Sequence, residues 1–89
     1  MKTKHGDLRV WWIPQIPSNP FHVAVDTPQE AKKLLTVLAD YDLFQFENKI
    51  KPDYSNAGGL EVYSTQDHEW SEWHDKATDD DIDAWEPAA

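Results

Sequence analysis

Hydrophobic and polar positions along this chain change period twice, and those changes mark its elements. Leu8-Arg-Val-Trp-Trp-Ile13 is rich in β-branched and aromatic residues and stops at Pro14, which predicts a strand. Pro14, Pro17 and Pro20 make the next stretch a stiff connector, because proline fixes φ and removes a backbone donor. Phe21-His-Val-Ala-Val25 alternates and reads as a second strand. The period then shifts to that of a helix: Ala31, Leu34, Leu35 and Leu38 fall at i, i+3, i+4 and i+7. Asp26 or Thr27 can cap this helix, Pro28 suits its first position, and Glu30 completes a capping box with Thr27. Lys32 and Lys33 lie off the apolar stripe and are expected in solvent. Beyond Asp40 the pattern blurs, and helix is expected to about residue 47.

Lys51 to Gly59 is loop by composition, with Pro52 and Gly58-Gly59 as breakers. Leu60-Glu-Val-Tyr-Ser64 alternates as a third strand, Thr65 to His68 turns, and Glu69 to His74 reads as a fourth. The order β-β-α-β-β predicts a single small α+β domain. It has a mostly antiparallel sheet of about four strands, with one helix or broken helix on one face. The other sheet face is left free.

Charge changes this picture at one end. Residues 1–60 carry seven basic and seven acidic side chains, while residues 61–89 carry ten acids against Lys76 alone. The formal charge of −9 therefore lies in the last third. This predicts a compact unit over residues 1–75 and an acidic, flexible tail over 76–89, which either keeps the protein soluble or engages a basic partner. The negative balance argues against direct nucleic-acid or anionic-membrane binding. The longest apolar run, Val10 to Ile13, is too short for a signal core or a membrane span, and there is no cysteine. A cytoplasmic protein is expected, without disulfides. A domain of 89 residues buries a marginal core, so a homo-oligomer is expected as well.

Candidate chemistry is sparse. There is no cysteine nucleophile, no GxSxG, no metal-ligand spacing among His5, His22, His68 and His74, and no calcium loop in Asp79 to Asp83. The chain reads as a binder and not an enzyme, with no cofactor and no metal. The segment from Phe46 to Gly59 is the candidate ligand site. Asn48, Asn56, Lys49 and Lys51 offer amides and amines, Phe46 and Tyr54 can stack, and Gly58 and Gly59 let backbone N–H groups approach an anion. An ordinary polar loop is the competing reading. Trp11 and Trp12 are neighbours on a strand, so their rings point to opposite faces, and Trp70 and Trp73 also split faces. These four tryptophans are the candidate interface residues.

Three stretches, Leu8-Arg-Val-Trp-Trp-Ile-Pro-Gln15, Pro20-Phe-His-Val23 and Leu38 to Asn48, continue through Ile50 to Val62 into an acidic, Trp-containing end. Over roughly residues 8–74 this resembles a family of short phage and prophage superinfection exclusion proteins. The resemblance implies a phage protein acting on host or rival-phage processes by stoichiometric binding, and it supplies no site residues. Two mechanisms fit. One is a homo-oligomeric sponge that sequesters a nucleotide immune signal at the 46–59 segment. The other is an acidic decoy, in which residues 61–89 occupy a basic groove on a host defence protein with Trp70, Trp73 and Trp85 as anchors.

Overall fold

A computed structural model describes residues 3–50 and 56–86. Four strands, β1 (Leu8–Ile13), β2 (Phe21–Val25), β3 (Ala57–Ser64) and β4 (Glu69–Glu72), form one sheet in the order β2-β1-β3-β4. Every neighbouring pair is antiparallel. Among the described residues one helix, α1 (Pro28–Glu47), lies between β2 and β3. The small α+β domain expected from the pattern is the fold.

The helix begins where its capping chemistry dictates. Thr27 Oγ1 accepts from the Glu30 backbone N–H at 3.1 Å, and Glu30 Oε1 accepts from the Asp26 backbone N–H at 3.2 Å. The reciprocal bond thus reaches one residue further back than in the usual capping box. The helix ends after Glu47 in a Schellman motif. Ile50 N–H donates to Gln45 O at 2.8 Å, Lys49 N–H donates to Phe46 O at 3.1 Å, and Lys49 takes the left-handed conformation at φ 61°.

Register sorts the side chains. Val10 lies opposite Val23 and Leu60, and Trp12 opposite Phe21 and Gly58. These residues share the face on which α1 packs. Val10, Val25, Ala31, Leu60 and Ile82 form the buried core, with Leu8, Leu34, Leu35, Leu38, Trp73 and Trp85 against it. The apolar stripe of α1 continues one turn further through a polar residue: Asp42 is 3% exposed and accepts from Trp12 Nε1 at 3.0 Å and from Asn56 Nδ2 at 3.1 Å. That buried carboxylate is why the apolar period blurs after Asp40.

Four expectations need correction. β3 starts at Ala57, so Gly58 and Gly59 are strand residues and not loop residues. β4 stops at Glu72, short of His74. The packed unit also runs past residue 75. Ile82 is 3% exposed within the core, and the Trp85 ring meets that of Trp73 edge-on at 5.5 Å. Lys32, expected in solvent, secures this segment: its ammonium donates to the carbonyl oxygens of Ile82, Asp83 and Trp85 at 2.8, 3.1 and 2.7 Å. Asp79 and Asp83 of the run stay exposed and Asp80 and Asp81 are half-buried, while its one aliphatic residue enters the core.

Candidate functional site

The helix and the C-terminal segment occupy one face of the sheet. The opposite face carries Arg9, Trp11, His22, Ala24, Gly59, Glu61, Tyr63 and Trp70, because the register places these residues across from one another. Trp11 lies opposite Gly59, and a Cβ there would sit 2.6 Å from Trp11 Nε1. Glycine at this position lets the indole lie down across β3. Nearer the other end of β1, Arg9 Nε donates to Glu61 Oε1 at 2.8 Å. Its guanidinium carbon stands 4.1 Å from the Trp70 ring centroid. Trp70 in turn meets the Tyr63 ring edge-on at 5.3 Å. His22 Nε2 is 3.9 Å from the same Glu61 oxygen.

The side chains on this face hold one another in place. The arginine is fixed by a carboxylate on one side and an indole on the other, so little rotamer entropy remains to be lost when something docks against it. Arg9, His22, Ala24 and Trp70 also border a shallow cleft of about 370 Å³. Chemically the face offers a flat aromatic surface, one cationic and one anionic group already paired, and a histidine beside them. Among the described residues no group of His, Asp or Glu side chains could hold a metal ion.

Of the residues expected to bind a ligand, those that are described lie in separate places. Phe46, Asn48 and Lys49 sit at the exposed end of α1, where Asn48 Nδ2 donates to Phe44 O at 2.8 Å. Lys51 and Tyr54 lie outside the described residues. Asn56 is turned inward to Asp42. Gly58 packs under Trp12, and Gly59 under Trp11. The glycines therefore make room for indoles, and both stand within β3. A second cleft, of about 400 Å³, lies between α1, the start of β3 and the C-terminal segment, bordered by Trp12, Leu35, Thr36, Asn56, Gly58 and Asp83.

The expected interface tryptophans divide in the same way. Trp11 and Trp70 are on the open face, whereas Trp12 is buried beneath α1 and Trp73 packs with Trp85 against the core. Arg9, Glu61, Tyr63 and His22 were not singled out in the sequence. Period-2 alternation from Trp11 back to Arg9 would have put those two on one face. Finding Glu61 and Trp70 beside them required the pairing of β1 with β3 and of β3 with β4.

Residues 7–88 match the model of a family described as superinfection exclusion gene product 17. The superinfection exclusion protein of Salmonella phage P22 is 42% identical over 78 residues, which is 75% of this chain and 76% of that protein. No solved structure matches the chain.

Proposed function

The chain belongs to the superinfection exclusion gene product 17 family of phage proteins, and we propose that it acts without catalysis, by occupying a protein partner through the open sheet face. The observation that carries this reading is the Arg9–Trp70–Tyr63 cluster, fixed by Glu61 and continued by Trp11. Trp, Tyr and Arg are the side chains that supply most of the energy in protein interfaces, above all when they are held in place before binding. The partner is a host defence protein or a component of the incoming phage. Among the described residues no helix is long and apolar enough to cross a membrane.

The test is a challenge of cells expressing Arg9→Ala/Trp70→Ala with a second phage, after far-UV circular dichroism shows that the variant is folded. Plaques should return to the level seen without the protein. Full exclusion by the folded double variant would sink the reading.

A nucleotide sponge is the second reading, favoured by the 400 Å³ cleft, whose volume falls in the range of small-molecule sites. Among the described residues its one cation is Lys32, which is already engaged by three carbonyl oxygens, so an anionic ligand at that ammonium would have to displace the C-terminal segment. A thermal-shift panel of cyclic nucleotides separates the two readings. The decoy mechanism is tested by Asp79→Asn, Asp80→Asn and Asp83→Asn together. Deleting the segment would remove Ile82 from the core.

A further inference from the structure

We infer that two copies of this chain pair through the outer edge of β2, joining their sheets into one of eight strands. Among the described residues no strand flanks β2 on its outer side, so alternate residues of Phe21–Val25 turn N–H and C=O groups to a bare edge there. The two edges of the sheet are unlike. β4 is four residues long and exposes Glu69 and Glu72, the charge that natural sheets use to block edge pairing. β2 has no proline and no charge apart from His22. It belongs to the neutral part of the chain, whereas the excess of acids lies in residues 61–89, which build β4 and the C-terminal segment.

The helix supplies the second observation. Each residue turns the side chain by about 100° around α1. Lys32 reaches the C-terminal segment, and Thr36 and Ala39 border the cleft against the start of β3, so that flank of α1 looks toward β3. The opposite flank looks over β2, and on it stand Val37, Tyr41 and Phe44 at i, i+4 and i+7. Phe21 is on the helix side of β2, opposite Trp12, whose indole is bonded to Asp42 in the same part of α1. These four side chains expose 44–57% of their surface, all on the side of the bare edge. An exposed apolar stripe and an uncharged strand edge that face the same way define an interface.

A two-fold axis through Val23 would pair Phe21 with Val25 of the second copy and His22 with its Ala24, and would run the two helices antiparallel. The contacts of α1 fall more on β1 than on β2 or β3. Three strand spacings then put the helix axes about 14 Å apart. That is wider than the 8–10 Å of close helix packing, and facing Tyr41 and Phe44 rings are of a size to fill it. A five-residue strand is a narrow strip against the roughly 800 Å² per partner of a stable interface, and the aromatic flank widens it. The open face with Arg9 and Trp70 stays free in such a dimer and is doubled in area.

Sedimentation equilibrium of the full chain tests this. The 10.3 kDa chain should sediment at twice its mass at micromolar concentration. Tyr41→Glu/Phe44→Glu, both at exposed positions, should sediment as a folded monomer. Because the chain has no cysteine, Val23→Cys should give a disulfide-linked dimer on mild oxidation, and Ser71→Cys on β4 should not. A monomer throughout the concentration range overturns the inference. So does a dimer that survives the helix variant, or one that cross-links through Ser71→Cys. Loss of exclusion is a separate readout, so this inference can fail while the open-face reading stands.

Discussion

The two faces of the sheet are built from neighbouring residues that do opposite work. On the covered face, Trp12 lies under α1 with its Nε1 tied to Asp42, and Gly58 leaves space for its ring. On the open face, Trp11 lies over Gly59 with no helix above it. Each face is thus an indole on a glycine, one position apart in both strands. What separates them is cover: the first pair is locked by packing and a buried acceptor, and the second has solvent into which it can yield. A tryptophan becomes core or contact surface according to which way the strand alternation points it.

The strongest test of that contrast compares matched substitutions. Trp12→Ala should cost about 3–5 kcal/mol, the usual loss for a large aromatic in a core, as measured by urea unfolding. Trp11→Ala should cost less, about 1–3 kcal/mol, since its half-buried ring has no helix above it and its loss leaves no enclosed cavity. The glycines sharpen the pair. A Cβ on Gly58 would overlap Trp12 at Cε3 and lie 3.1 Å from Leu35 Cδ2, so Gly58→Ala should cost about 2–3 kcal/mol through overpacking. Gly59→Ala meets Trp11, which can swing outward, and should cost less than half as much while altering Trp11 fluorescence. Equal losses at Gly58 and Gly59 would break the comparison.

Asp42 comes next in size. Asp42→Ala leaves the Trp12 Nε1 and Asn56 Nδ2 donors without that acceptor, and should cost about 2–3 kcal/mol. Trp12→Phe made in the Asp42→Ala background should cost less than Trp12→Phe alone, because the donor has already lost its acceptor. Additive losses in that cycle would mean that the bond does not hold the covered face together.

Local signals carried most of the fold. The strands were legible as alternation, and the helix start as Thr27, Pro28 and Glu30, because these depend on residues within a turn of one another. What stayed hidden depends on distant partners. Gly58-Gly59 reads as a breaker until Trp11 and Trp12 are known to lie across from it. Asp42 reads as the end of an apolar stripe until Trp12 supplies a donor. A single Ile82 among aspartates has no period to announce it, so the C-terminal segment reads as a tail. The candidate site was legible by half: the opposed tryptophan faces were visible in β1, whereas the Arg9–Glu61–Trp70 cluster spans three strands.

Lys32 ties the C-terminal segment to the covered face, and its removal should matter less than that of Asp42 because its bonds are only partly buried. Lys32→Met should cost about 1–2 kcal/mol and speed proteolytic cleavage within residues 76–86. Unchanged cleavage would mean that Ile82 and the Trp73–Trp85 contact hold the segment without the ammonium.

The smallest expected effect lies at the end of α1 and touches neither face. Lys49 holds φ 61°, where an L residue pays about 1–2 kcal/mol of strain that glycine avoids. Glycine also loses more backbone entropy on folding, by about 0.5–1 kcal/mol. The balance predicts that Lys49→Gly stabilises the fold by up to about 1 kcal/mol, read as a higher urea midpoint with an unchanged slope. Trp11 fluorescence and exclusion of a second phage should both stay as they are. Because Lys49 is also a candidate ligand residue, the result cuts twice. A folded, stabilised Lys49→Gly that no longer excludes a second phage would move the functional site from the open face to the end of the helix, and the contrast between the two faces would then describe packing alone.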